Sequence, residues 1–321
     1  MFIGSCAGKF YALDKNTGKT VWSYDTRLYG GPRSFHGDPL LHEEMVVIAS
    51  DRGCGPEGGY VYAFDQNTGK LRWKFKASGP STSLVEIGGA IVFGTREDEW
   101  LSVDLRSGKL NWIFSATAPD PQCEVRKGPV TDGVNVYFAA HDGAIYALEA
   151  KSGRLLWKKT PPARVTTGPF MYKDVLYYGA DNNHIYGLKP ADGEMLSDLG
   201  APARPDGRFA WTRVGDSEME YLFAIEKSQD PGVLLAFHDD FDAATWSAKS
   251  AEKWSSELPH IWKDLVIAGN CDGEIAAYRA RNGELVWRGH AKGCIRSFGH
   301  DNETLYIGVQ EGTVYAYRPG K

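Results

Sequence analysis

Short runs of alternating apolar and polar residues, separated by tight turns, recur along the whole chain. A period of two predicts half-buried β-strands, and no window shows a sustained helical period. Glycine-bearing turns between such runs are typical of β-hairpins. Eight segments share one pattern: FYALDKNTGKTVW (10–22), VYAFDQNTGKLRW (61–73), LSVDLRSGKLNW (101–112), IYALEAKSGRLLW (145–157), IYGLKPADGEMLS (185–197), LLAFHDDFDAATW (234–246), IAAYRARNGELVW (275–287) and VYAYRPGK (314–321).

The repeats lie on average about 43 residues apart, which is the length of a four-stranded propeller blade. We label the strands of each repeat A to D in chain order, from the inner strand A to the outer strand D. A and B precede the YALD-like segment, which lies on C, and D carries the tryptophan. The chain opens on a B strand and ends just after a C strand, so it predicts eight B, eight C, seven D and seven A strands, or 30 in all. The fold class predicted is all-β, an eight-bladed propeller of four-stranded antiparallel blades, with seven blades as the alternative. We expect a segment upstream of Met1 to supply the two closing strands; without it, exposed edges favour weak self-association.

A tryptophan follows a small residue by ten positions in six repeats, and Ser197 takes its place in the fifth. A small residue opposite a large one lets the indole of one blade lie over the backbone of its neighbour. The indole N–H then needs an acceptor, for which a turn carbonyl is suitable. The predicted structural docking residues are Trp22, Trp73, Trp112, Trp157, Trp246 and Trp287.

This pattern resembles the quinoprotein-type (PQQ-like) β-propeller repeat, with its Ala-Leu-Asp-x-x-Thr-Gly-Lys-x-x-Trp docking motif. The resemblance covers essentially the whole chain and implies one propeller domain over residues 1–321. The family includes quinone-cofactor alcohol dehydrogenases, an outer-membrane barrel-assembly lipoprotein, and many binding or sensor domains. The resemblance therefore implies a fold but leaves the function open.

The dehydrogenases of that family carry adjacent cysteines that form a ring disulfide, and acidic calcium ligands over the quinone. No two cysteines are adjacent here, so no catalytic residue is carried over. We expect no cofactor, with PQQ and calcium as the alternative. Asp239, Asp240 and Asp242 crowd one C–D turn, which fits a solvated acidic turn better than a calcium loop.

Net charge and apolar run length exclude two classes of partner. The formal charge is −5 without a basic stripe, which argues against a nucleic-acid binder. No apolar run approaches the ~18 residues of a membrane span. The N-terminus shows no leader, which predicts a cytoplasmic protein, or a periplasmic or extracellular one if a leader was removed. The five cysteines predict mostly free thiols and at most one bridge, with Cys6–Cys54 the preferred pair.

In an antiparallel blade, the B–C hairpins and the D–A connections emerge on the same face. All five cysteines fall in these segments, and Cys6, Cys54, Cys271 and Cys294 are weak candidates for metal ligands. Arginines enter four A strands at similar points, and ring closure would aim them at a shared mouth. The predicted ligand-binding residues are Arg33, Arg126, Arg164, Arg296, Arg208 and His141. Arginines that only cap carbonyls are the structural alternative.

Two function classes follow from these residues. The first is a non-catalytic binding or scaffold module that recognises a protein, an acidic peptide or another anionic ligand through the loop face around its central channel. The second is a quinone- or metal-dependent oxidoreductase. The oligomeric state is left open by the sequence.

Overall fold

The computed structural model describes residues 1–5, 7–29, 34–51, 58–80, 83–116, 128–201, 203–213, 220–226, 232–238, 244–249, 254 and 259–318. These residues form thirty β-strands and one short 3₁₀-helix, Thr26–Tyr29, and they contain no α-helix. No helix in this described part is long and apolar enough to cross a membrane. The strands pair sequentially into eight antiparallel sheets within the described ranges. The prediction of an all-β fold built from repeated antiparallel sheets is therefore confirmed. The number of blades stays a prediction.

The chain divides into two compact units, and the first comprises Met1–Pro162 with Pro190–Gly193. Its first sheet has three strands: β1 (Phe2–Gly4), β2 (Lys9–Leu13) and β3 (Thr20–Asp25). The second contains β4 (Ser34–His42), β5 (Met45–Asp51), β6 (Gly59–Asp65) and β7 (Leu71–Ala77). The third contains β8 (Val85–Ile87), β9 (Ala90–Gly94), β10 (Glu99–Asp104) and β11 (Leu110–Ser115). The fourth contains β12 (Val130–Thr131), β13 (Asn135–Ala139), β14 (Ile145–Glu149) and β15 (Leu155–Lys159).

The second unit comprises Ala163–Lys189 and Glu194–Lys321. Its fifth sheet contains β16 (Phe170–Tyr172), β17 (Val175–Ala180), β18 (His184–Leu188) and β19 (Met195–Gly200). The sixth contains β20 (Asp206–Arg213), β21 (Glu220–Glu226), β22 (Val233–His238) and β23 (Ala244–Lys249). The seventh contains β24 (His260–Trp262), β25 (Leu265–Gly269), β26 (Glu274–Arg279) and β27 (Leu285–His290). The eighth has three strands: β28 (Ile295–His300), β29 (Leu305–Val309) and β30 (Val314–Tyr317).

The strand count matches the sequence prediction. Among the described residues the first sheet has no A strand and the eighth has no D strand, so that 30 strands remain. The prediction of one domain over residues 1–321 stays a prediction.

The hydrophobic core lies between neighbouring sheets within each unit. Val47 of the second sheet shares a buried cluster with Phe93 of the third. Trp100 of the third sheet stacks on Phe138 of the fourth, with ring centroids 3.8 Å apart. In the second unit, Phe223 and Val266 belong to one buried cluster that joins the sixth and seventh sheets. The B and C strands in the middle of the sheets are therefore nearly continuous apolar runs, because both of their faces are covered.

Each predicted tryptophan is the direct cross-strand partner of the small residue ten positions before it. Ala147 on β14 pairs with Trp157 on β15, and a β-bulge follows immediately between Ala147 and Leu148. The same pairing and bulge recur in the other C–D hairpins, including Gly187 with Ser197 in the fifth sheet. A bulge adds one residue to one strand and increases its twist. The bulge therefore re-aims the D strand just before the tryptophan.

Each of these indoles donates a hydrogen bond to a residue of the next repeat. Trp73 donates its N–H to the Leu105 carbonyl at 3.0 Å, and its ring lies against Gly108. The acceptor lies three residues before the turn glycine in every described case of this kind. The other pairs of donor and acceptor are Trp22 with Gln66, Trp112 with Ala150, Trp157 with Pro190 and Trp246 with Ala280. Trp287 instead donates to the Tyr317 hydroxyl at 2.8 Å.

Candidate binding face

The B–C turns and the D–A connections lie together at one end of their sheets, where main-chain hydrogen bonds join them. In the third sheet, the Arg96 N–H donates to the Gly79 carbonyl at 3.1 Å. In the fifth, the Asp181 N–H donates to the Arg164 carbonyl at 2.9 Å. The eighth sheet repeats this bond between Gln310 and Cys294. We call these turns and connections the loop face of their sheets.

A buried ion pair lies under the loop face of the first unit. The Asp51 carboxylate, fully buried at the end of β5, is 3.3 Å from the guanidinium of Arg96, whose side chain is 12% exposed. Burying two charges is favourable only when they are well paired, so this pair fixes the B–C turn of the third sheet against the second. This ion pair was not predicted from the sequence. A charged residue directly after a buried strand was the available signal.

Asp98 connects the third and fourth sheets in the same way. This buried aspartate follows Arg96 in the B–C turn, and its carboxylate accepts the backbone N–H of His141 at 3.2 Å. Because the bond comes from the backbone N–H, it fixes the turn that carries His141. The predicted residue His141 therefore lies on the loop face, next to a buried acid.

A charged cluster also holds the outer part of the fourth sheet. The Tyr146 hydroxyl donates to Asp142 at 2.7 Å, and the Lys158 ammonium lies 2.7 Å from the same carboxylate oxygen. Burial disfavours the charged form of Asp142, but the bonds from Lys158, Ala144 and Tyr146 outweigh it and lower its pKa. The bond to Asp142 raises the pKa of Lys158. The Lys158 ammonium also lies 5.1 Å from the centroid of the Tyr146 ring.

In the second unit a disulfide crosses the loop face. Cys271, in the B–C turn of the seventh sheet, is bonded to Cys294, in the connection to the eighth. The Cys294 N–H donates to the Glu311 carboxylate at 3.1 Å, and the Ile295 N–H donates to the Asn270 carbonyl. Neither bridged sulfur is a thiolate, so in this state Cys271 and Cys294 cannot serve as the predicted metal ligands. Cys6, Cys54, Cys123 and the predicted Cys6–Cys54 bridge lie outside the described residues.

The predicted arginine mouth stays a prediction. Arg164 and Arg296 are exposed on the loop face of the second unit, and Arg296 Nε donates to Gln310 Oε1 at 3.0 Å. Arg33 and Arg126 lie outside the described residues. The backbone of Arg208 belongs to β20, but its side chain is not described. The buried acids Asp51 and Asp98 give the first unit's loop face a mixed charge that the arginine pattern alone did not predict.

The described tryptophans and cysteines differ from the quinone and calcium site that the family resemblance implies. The docking indoles lie against the next repeat, and Trp100 and Trp254 are fully buried, so none of these offers an open floor for a planar cofactor. The described bridge joins cysteines 23 residues apart rather than neighbours. No group of three or more His, Cys, Asp or Glu side chains suited to a metal occurs in the described part of the chain.

Comparisons with known proteins agree on the fold. A profile of the family described as outer membrane protein assembly factor BamB matches residues 1–196 and 97–293. BamB from Moraxella catarrhalis superposes with a TM-score of 0.74 at 18% identity, covering 99% of this chain and 93% of that one. A europium-containing methanol dehydrogenase gives a TM-score of 0.71 at 12% identity, covering 96% and 80%.

The sequence relatives are longer enzymes. Quinohemoprotein alcohol dehydrogenase ADH IIB of Pseudomonas putida is 36% identical over 75 residues. That match covers 23% of this chain and 11% of the enzyme, so the chain matches only about a tenth of that relative's length. The match is thus confined to a small part of the repeat array.

Proposed function

This chain belongs to the family described as outer membrane protein assembly factor BamB, and from that membership we propose that it is a non-catalytic binding module. In this proposal the eight sheets are the blades of one eight-bladed propeller over residues 1–321. Its ligand is a protein segment rich in carboxylates, bound on the loop face. The family description names a role in assembling other proteins, which supports a protein ligand rather than a small molecule.

The hydrogen-bonded base of the loop face is the observation that carries the proposal. The same main-chain bond, seen at Arg96, Asp181 and Gln310, ties a B–C turn to the preceding connection in three sheets. Loops mounted on such a base lose little conformational entropy when a partner binds. Arg164 and Arg296 are exposed there, and guanidinium groups are suited to bidentate carboxylate contacts. Arg296 would exchange its bonds to Gln310 for bonds to the ligand.

A matched pair of double variants tests the proposal. Arg164→Gln with Arg296→Gln removes two cations from the loop face, whereas Arg106→Gln with Arg154→Gln removes two exposed cations from C–D turns. Binding is measured by calorimetry with a poly-glutamate peptide at low and moderate salt. We expect the loop-face variant to bind at least tenfold more weakly at unchanged thermal stability, and the turn variant to bind like the parent. Equal weakening in both variants, or no binding by the parent at any salt concentration, would overturn it.

The quinohemoprotein match favours one second candidate, an oxidoreductase. When bound, a quinone with calcium would supply hydride or electron acceptance from an alcohol. Adding both to the purified chain with ethanol and a redox dye tests this directly. Dye reduction above a no-protein control would support the oxidoreductase and overturn the binding-module proposal.

The Cys271–Cys294 bridge bears on the compartment. Disulfides persist in oxidising compartments and are rare in the cytosol. The bridge therefore supports the periplasmic alternative over the cytoplasmic one, in keeping with a family described by outer-membrane assembly. Fractionation of cells that express the full natural gene tests this.

A further inference from the structure

Two histidines from neighbouring sheets meet outside the loop face. His260 begins β24 of the seventh sheet, and His300 ends β28 of the eighth. The Nε2 atom of His260 lies 2.9 Å from the Nδ1 atom of His300. Both rings reach solvent, His300 more than His260. The two residues are one repeat apart in the sequence, so the separation of their strands is fixed by the fold.

The backbones that carry the pair are held in place independently of the imidazoles. Trp262, two residues after His260, is buried and donates its indole N–H to the carbonyl of Asp301, the residue after His300, at 2.9 Å. The Phe298 ring stacks on His260 with centroids 5.7 Å apart. Ligands mounted on strands and fixed by neighbouring contacts lose little freedom on binding a metal ion.

The two nitrogens are close enough to share one metal ion once the rings turn. Metal–imidazole bonds are ~2.0–2.1 Å long, so two of them at a right angle place their nitrogens ~2.9 Å apart, whereas a tetrahedral angle places them ~3.3 Å apart. Right angles belong to the tetragonal geometry of Cu²⁺ and Ni²⁺. In the metal-free chain one imidazole donates to the other, so a turn of the rings is needed to direct both lone pairs at one ion.

We propose that His260 and His300 form a bidentate site for a divalent transition metal with tetragonal geometry, Ni²⁺ or Cu²⁺, with water at the other positions. No third His, Cys, Asp or Glu side chain completes such a group within the described residues. Asp301 is already committed, because its Oδ1 accepts the N–H groups of Glu303 and Thr304. The site is independent of the loop-face proposal, since neither histidine belongs to a B–C turn or a D–A connection.

Calorimetric titration of the untagged, oxidised chain with Ni²⁺ at pH 7.5 tests the site. We expect one ion per chain, and at least tenfold weaker binding for His260→Ala and for His300→Ala. His290→Ala, which removes an exposed histidine from β27, is the matched control and should bind like the parent. Thermal melts of the metal-free variants show whether each is folded.

A second measurement separates chelation from a general effect on the fold. With Cu²⁺, the parent should give an axial electron paramagnetic resonance spectrum with splitting from two equivalent nitrogens, and each single variant should show one. The proposal is wrong if the parent binds Ni²⁺ no more tightly than the double variant His260→Ala/His300→Ala. It is also wrong if the copper spectrum of the parent shows fewer than two nitrogens.

Discussion

The indole of Trp112 lies on the backbone of Gly153, one repeat further along the chain, and donates its N–H to the Ala150 carbonyl at 2.8 Å. Gly153 has a φ of +72°, and a Cβ built there would lie 2.6 Å from the indole Cδ2 atom. Two separate demands therefore select glycine at this position, one from its own backbone and one from the tryptophan of the preceding repeat.

Gly153→Ala and Gly18→Ala separate these two demands. Gly18 occupies the same turn position with a φ of +70°, but nothing lies within 4 Å of its added Cβ. We expect Gly18→Ala to cost ~1–2 kcal/mol for the left-handed backbone alone. Gly153→Ala adds an overpacking cost of ~1–3 kcal/mol because the indole must shift. Urea unfolding of both variants checks this, and equal losses would show that the indole contact is not selective.

The buried pair of Asp51 and Arg96 should dominate the stability of its turn. Asp51→Ala leaves a guanidinium that is almost buried without this carboxylate, and we expect a loss of ~3–5 kcal/mol. Arg106→Gln breaks the ion pair between Arg106 and Glu43, whose two side chains are 75% and 61% exposed, respectively. That loss should stay within ~1 kcal/mol. Chemical denaturation of the parent and the two variants measures both losses of stability. Equal losses would contradict the expectation, because they would mean that water reaches Asp51 freely.

Acid should destabilise the protein between about pH 4 and pH 2. The Arg27 guanidinium lowers the pKa of Asp25 from 3.8 to about 2. Arg72 lowers the pKa of Asp65, and the Thr17 side chain lowers that of Asp14. Because these pKa values are lower in the folded state, the unfolded chain binds more protons in this window, and stability falls as the pH falls.

Thermal melts between pH 5 and pH 2 measure this slope. Asp65→Asn should make it shallower, because the substituted turn no longer titrates. Glu303→Gln, which removes an exposed carboxylate from an A–B turn, is the control variant. A parent melting temperature that stays constant down to pH 2 would contradict the expectation.

Titration of the purified, unreduced chain in denaturant should find three reactive thiols. Five cysteines less the two of the Cys271–Cys294 bridge leave three, which the sequence predicts to be free. One reactive thiol would reveal a second bridge among Cys6, Cys54 and Cys123. Five would mean that the observed bridge does not form. Cys294→Ser should cost ~3 kcal/mol, since the bridge closes a loop of about 23 residues.

The sequence predicted the strand order well because each repeat carries its own signals. The offset of ten between Ala147 and Trp157 correctly anticipated their pairing, and the turn residues located the hairpins. It did not reveal the bulge after Ala147, because no particular residue type marks this bulge in the sequence.

Contacts between repeats were harder to find. The Cys271–Cys294 pair was missed because its proximity depends on how a B–C turn lies beside the next connection. The 40-residue separation of His260 and His300 equals about one repeat and could have signalled their meeting.

Five tryptophans dock on the glycine turn of the following repeat, so each of these joints is head-to-tail, with its two halves encoded in successive copies. Ser197 replaces the tryptophan of the fifth repeat, and the turn sequence of the sixth, 238–245, contains no glycine, so both halves of that joint are absent together. A duplication or deletion of one whole repeat keeps each tryptophan beside a glycine turn, whereas exchange of a single strand separates the two. The array can therefore change length by recombination in whole repeats, and substitutions on the two sides of a joint are expected to be inherited as a pair.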